Sequence, residues 1–300
     1  MKTMQLIKGA FIALIAFTLG STAAQAQGSR TWVSAGGDDG NPCSRAQPCL
    51  SFGAALGVTA TGGEINCVNS GDFRTVTITK SILIDGEGTH AGIAVNGAGA
   101  IVINGAGAVV TLRNLALNGL GGGYAGIEII NASEVHIENC FITGFAYGVE
   151  IAPSAVCSVT IRNTTIRHCI GGAVYAHPNA GIGAAVNISK SSLNDSLFGF
   201  RANDNVKAVL DDCVLAGNTN NGVTVNNSGG AATKVTVSRC TINDTGGFGV
   251  VSSGALASVF ISNNVVFNNV TGVGTLSGGV MTSLGNNNIN GNTTDGSPKP

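Results

Sequence analysis

Glu128 and Glu150 are the two side chains whose type and placing best suit chemistry. Each follows a glycine by two residues, Gly126 and Gly148, and each glycine opens a short apolar stretch. If those stretches are strands stacked one above the other, the two carboxylates leave the same face about 5 Å apart. Carboxylates that close raise one another's pKa or share a cation, which is what acid–base or calcium-assisted reactions exploit. In later copies the same place holds Val174, Arg201 and Thr224, so Arg201 would bring a positive charge to the face. Tyr124 and Tyr147 fall just before it, with ring faces suited to stacking on sugars. Tyr175 has inward parity and is assigned to the core. The plainer alternative is that both glutamates are solvated surface acids.

Other chemistries find little support. His90, His136, His168 and His177 have no partner at metal-ligand spacing and read as surface residues. There is no C-x-x-C spacing for zinc, no H-E-x-x-H, no G-x-S-x-G and no phosphate loop. The expectation is therefore no metal and no cofactor, with calcium as the one candidate should the two carboxylates share an ion. Fifteen basic residues stand against sixteen acids without any basic cluster, which argues against a nucleic-acid partner.

The elements that must position these side chains come from a repeat. A V-x-I pattern with an aliphatic or small residue five places further on begins at Val110, Val135, Val159, Val186, Ala208, Val235 and Val259, with a weaker copy from Thr282. The glycines Gly126, Gly148, Gly172, Gly199, Gly222, Gly249 and Gly272 keep the same beat of 22 to 27 residues. A fixed period in this range marks a solenoid whose repeats bury their apolar faces only by stacking. Alternation over V-x-I-x is a half-buried strand. The break of phase falls on Asn114, Asn139, Asn163, Asp212 and Asn263, residues that tolerate the left-handed backbone of a tight corner. Three short strands and three turns per repeat make one coil of a parallel β-helix. Leu112-Arg113-Asn114-Leu115 imitates a leucine-rich repeat, but the other copies carry Val and Ile and no helix-forming outer segment. The column Arg113, Glu138, Arg162, Ser189, Asp211 alternates in sign and reads as a surface ladder of ion pairs.

The first 26 residues read as an export signal: Lys2 and Lys8, an apolar run from Gly9 to Gly20, and the small-residue site Ala24-Gln25-Ala26. Removing them leaves 13 basic residues against 16 acids, and no later segment is apolar enough to span a membrane. Eight cysteines suit an oxidising compartment. Cys43 and Cys49 bracket a proline-bounded turn and are expected to pair. Cys140, Cys213 and Cys240 share one inward column, where Cys213 and Cys240 lie on neighbouring coils.

Trp32-Val33-Ser34 followed by Gly37-Asp38-Asp39-Gly40-Asn41-Pro42 resembles the entry segment of secreted β-helix proteins. Pro48 to Ala55 is similar to their capping helix, and Ile78 to Gly86 to their first full coil. With the repeats that follow, the chain resembles the right-handed parallel β-helix superfamily of pectate lyases and polygalacturonases. The resemblance implies an all-β, right-handed parallel β-helix of three-strand coils with a short N-terminal capping helix. The expected organisation is a signal over 1–26, a cap and first strand over 27–74, the helix over 75–292 and a polar tail over 293–300. It also implies a substrate trough along the outward face of the strand after each glycine. The catalytic motifs of the polygalacturonases are absent, however, and Asp211-Asp212 falls on the asparagine corner. No basic residue stands beside a calcium cluster of acids, as pectate lyases need. The expected role is thus an exported surface or periplasmic binding or structural module, toward polysaccharide. The alternatives are a polysaccharide lyase, hydrolase or epimerase using Glu128, Glu150 and Arg201, and an adhesin fragment. The oligomeric state is left open.

Overall fold

The computed structural model describes residues 27–298. The export signal expected over 1–26 lies outside the described residues. The chain winds as a solenoid in which every strand pairing between successive coils among the described residues is parallel. A representative coil runs Cys157–Arg162, Thr165–Arg167 and Gly172–Ala176, and the next runs Ala184–Ser189, Ser192–Asn194 and Phe198–Asn203. The first strands of all coils form an eleven-stranded sheet. Its inward column is Val110, Val135, Val159, Val186, Ala208, Val235, Val259, each level with the next, as the V-x-I pattern requires. All are buried. The last copy begins one residue earlier than expected: Met281 is level with Val259, and Thr282 faces Phe260 on the outside. Met281 is the apolar residue of that pair of candidates and goes to the core, 1 % exposed.

The corner after the first strand is built as the asparagines suggest. Asn114, Asn139, Asn163, Asp212 and Asn263 all have φ between 49° and 59°, and Asn163 Nδ2 donates to Asn139 Oδ1 at 2.8 Å across one coil. From Cys140 onward the residue after the corner points inward and is small or polar, and in several coils it has a backbone duty. Thr164 Oγ1 accepts from Cys140 N, Ser191 Oγ from Thr164 N, and Asn264 Oδ1 from Cys240 N. Each satisfies an amide of the preceding coil that would otherwise be buried without a partner. Cys140, Cys213 and Cys240 occupy this column as buried free thiols. In the outward charge column Arg113 binds the buried Asp85 at 2.7 Å, and Arg162 meets Glu138 at 3.4 Å.

The N-terminal end is closed by helix α1, Phe52–Val58, which starts later than the segment expected from Pro48. Ser51 caps it, accepting from Ala54 N at 3.2 Å, while Asp39 accepts from the amides of Leu50 and Ser51. Phe52 packs against Phe73 at 5.1 Å and plugs the end of the core. The disulfide Cys43–Cys49 holds the turn before it, with Cα atoms 4.6 Å apart. Gly28–Val33 pairs in parallel with Thr59–Cys67 and continues the first sheet into the cap. At the other end the carbonyls of Thr294 and Asp295 accept from Gly272 N and Val273 N. No helix among the described residues is long and apolar enough to cross a membrane.

Candidate functional site

The third strands present the only long stretch of outward surface where aromatic, acidic and basic side chains of neighbouring coils interlock among the described residues. Backbone register puts Glu128 level with Glu150, Glu150 with Tyr175, Tyr175 with Arg201, and Arg201 with Thr224. The two glutamates are thus on adjacent coils as expected. Val174 is not on this face. It pairs with Val149 and Phe200 and is fully buried, and Tyr175 takes the outward place instead of a core position. The cause is a slip in the glycine beat. Gly148 lies level with Ala173 rather than Gly172, because the return carries an extra residue at Gly171-Gly172. Even a Cβ on Gly148 would strike Ile166 and the carbonyl of Ala173, so that coil requires glycine there, whereas the next one accommodates Ala173.

The corrected register brings in a residue that sequence reasoning left on the surface. His177, two places beyond Tyr175, donates through Nε2–H to Glu150 Oε1 at 2.9 Å, since an ionised carboxylate only accepts. Glu150 is 4 % exposed, and its Oε2 is buried with no hydrogen-bond partner. His177 stacks on Tyr175 at 4.1 Å, Tyr175 on Tyr147 at 5.4 Å, and Tyr147 meets Tyr124 edge to face at 6.0 Å. On the far side Arg201 lies over the rings of Tyr175 and Phe198, and its Nε donates to Asn203 Oδ1, whose amide donates to the Tyr175 hydroxyl. Beyond Arg201 the face dips into a hollow of about 430 Å³ bounded by Phe198, Asn221, Thr224 and Phe248.

Electrostatics follow the burial. Removal from water, and then the charge of Glu150, hold the Glu128 carboxyl above its ordinary pKa. Burial, and then the hydroxyl's approach as a donor to the Glu150 carboxylate and that carboxylate's charge, push the Tyr124 hydroxyl up, and burial does the same for Tyr175. Tyr124 and Tyr147, expected just before the third strands, lie within the strands Leu115–Asn131 and Phe141–Ile151 on the side of the acidic pair. Glu150, by contrast, is enclosed rather than splayed into water. Among the described residues no group of three or more His, Cys, Asp or Glu is arranged to hold a metal ion. A larger hollow of about 700 Å³, bounded by Glu87, His90, Arg113, Asn139 and Phe141, lies at the first corner, away from this cluster. Its arginine is already committed to Asp85.

A family model described as "Right handed beta helix region" matches residues 63–231 and 99–294, more than half of the chain. The chain belongs to the right-handed β-helix family. Solved structures similar to this β-helix include a pectate lyase, Pel9A, at 18 % identity and TM-score 0.57, covering 90 % of this chain and 81 % of that one. The A-module of mannuronan C-5 epimerase AlgE4 from Azotobacter vinelandii follows at 14 % identity and TM-score 0.49, covering 75 % and 81 %. A rhamnogalacturonan lyase has 13 % identity and TM-score 0.45, covering 91 % and 89 %. No curated protein matches the sequence. At these identities the likeness is one of fold, and the role of the third-strand face rests on its own side chains.

Proposed function

We propose that this β-helix protein is an exported glycan-binding module, periplasmic or extracellular, that lays a polysaccharide along its third-strand face. The observation that supports this reading is the unbroken run Tyr124, Tyr147, Tyr175, Arg201, Phe198 across successive coils, with ring contacts at every step. Sugars bind by stacking their C–H faces on aromatic rings while amides and charges take the hydroxyls. Coils repeat about every 4.8 Å, close to the length of one sugar unit, so successive residues of a polymer meet successive coils. Asn203, Asn221 and Thr224 supply hydrogen bonds along the same line.

Binding is favoured over catalysis by the state of Glu150. A nucleophile or general base must reach the reacting atom, yet one oxygen of Glu150 is occupied by His177 and the other is sealed from solvent. The carboxylate therefore serves to hold His177 and the neighbouring rings in place. The test is a panel of neutral, acidic and basic polysaccharides scored both for retention and for released fragments, with and without calcium. Retention without fragments, lost when Tyr147→Ala and Arg201→Ala are combined, is the expected result. Reproducible fragment release that disappears in Glu150→Gln would overturn the binding reading in favour of an enzyme.

A further inference from the structure

Glu128 is the anomaly of this face. Every other acid among the described residues that is not fully exposed has a hydrogen-bond or ion-pair partner. Glu64 has Arg30, Asp85 has Arg113, Glu138 has Arg162, Glu150 has His177, Asp204 has Ser228, Asp211 has Arg239, and Asp295 has the amide of Asn292. Glu128 is half-buried and has none. Its strand neighbours are Val102 on one side and Glu150 on the other. Level with it on the next coil is the buried carboxylate of Glu150, whose Oε1 takes His177 while its Oε2, on the side of the Tyr124 hydroxyl, has no hydrogen bond of normal geometry. These two carboxylates on adjacent strands lie beside the edge-to-face corner of Tyr124 and Tyr147. Desolvated acids and aromatic faces together are the means by which proteins recognise an ammonium group.

We propose that the Glu128 end of the third-strand face is a subsite for the protonated amine of a hexosamine unit, so that the preferred glycan carries free amino sugars. The proposal rests on the reading that a glycan lies on this face, and it adds the class of sugar. The ammonium donates to the Glu128 carboxylate, with the buried charge of Glu150 behind it and the tyrosine corner around it. An N-acetylated sugar brings no positive charge and leaves Glu128 as poorly served as before. A uronate brings a third negative charge to the pair and is repelled.

The experiment is calorimetric titration of the protein with a short β-linked glucosamine oligomer, its fully N-acetylated counterpart and an oligogalacturonate of equal length. It is run at low salt and at a pH where sugar amine and carboxylates are both ionised. The glucosamine oligomer should bind about tenfold tighter than the acetylated one. Glu128→Gln should remove that preference without lowering the melting temperature, whereas Tyr147→Ala should weaken both. Equal binding of the two oligomers with Glu128→Gln without effect, or a preference for the oligogalacturonate, overturns the amine subsite while leaving the glycan face standing if Tyr147→Ala still weakens binding. Failure of all three saccharides to bind removes the glycan reading and the subsite with it.

Discussion

At the scale of single residues, the Glu150–His177 contact is where the face is most exposed to test. A carboxylate taken out of water is tolerated only while a donor compensates it, and truncating the donor leaves the charge stranded. His177→Ala should therefore cost about 2–3 kcal/mol in chemical denaturation at neutral pH. An unchanged midpoint would mean that Glu150 is free to turn into solvent. Glu128 should behave in the opposite sense. Its pKa in the folded protein is raised above the ordinary 4.5, so the folded state binds that proton more tightly than the unfolded chain does. Ionisation then costs stability, beginning as pH rises through the unfolded value and complete above the folded one. Glu128→Gln should leave the protein at least as stable as wild type at neutral pH and lose any such advantage in acid. Comparison of melting temperatures at the two pH values checks the sign, and a variant less stable at neutral pH than in acid, relative to wild type, would contradict it.

At the scale of the elements, the first sheet was legible except for its last copy, where Met281 rather than Thr282 takes the inward place, and the third was legible except at one coil. Val, Ile and Leu at period two, punctuated by asparagine at the corner, locate the first strands from Val110 to Val259, because that column holds one buried apolar residue per repeat. The third strands were located from their glycines, and that signal failed where Gly171-Gly172 offers two glycines and the true counterpart of Gly148 is Ala173. The apolar parity held the answer. Val174 and Ala176 match Val149 and Ile151 as inward residues, which turns Tyr175 and His177 outward beside Glu150. A half-buried histidine partner for Glu150 was therefore hidden by one residue of register, since such a slip exchanges the two faces of a strand. The same reasoning makes the inward column sensitive to volume. Ile161 is 1 % exposed or less and stacked between Ile137 and Ile188. Ile161→Ala should cost about 2–5 kcal/mol, measured by denaturant unfolding, and a loss below 1 kcal/mol would show that the coils close over the cavity by sliding.

At the scale of the whole molecule, each coil touches only its neighbours, so stability is local while the face is collective. The solenoid turns a succession of unrelated side chains, separated by more than twenty residues in sequence, into a line of stacked rings and charges with the spacing of the coils. That is why the fold was readable from periodicity while the site was not: the repeat dictates where outward residues stand, and only their coincidence on adjacent coils says what they can hold. The direct test of the glycan-face account is hydrogen exchange of the backbone with and without a saturating glycan taken from the retention panel. Protection should rise over the third strands from Tyr124 to Asn226, above all at Tyr147, Tyr175 and Arg201, and stay unchanged over the outward positions of the first sheet such as Val209 and Phe260. Protection centred instead on the first sheet, or on the corner hollow at Glu87, His90 and Arg113, would contradict the account.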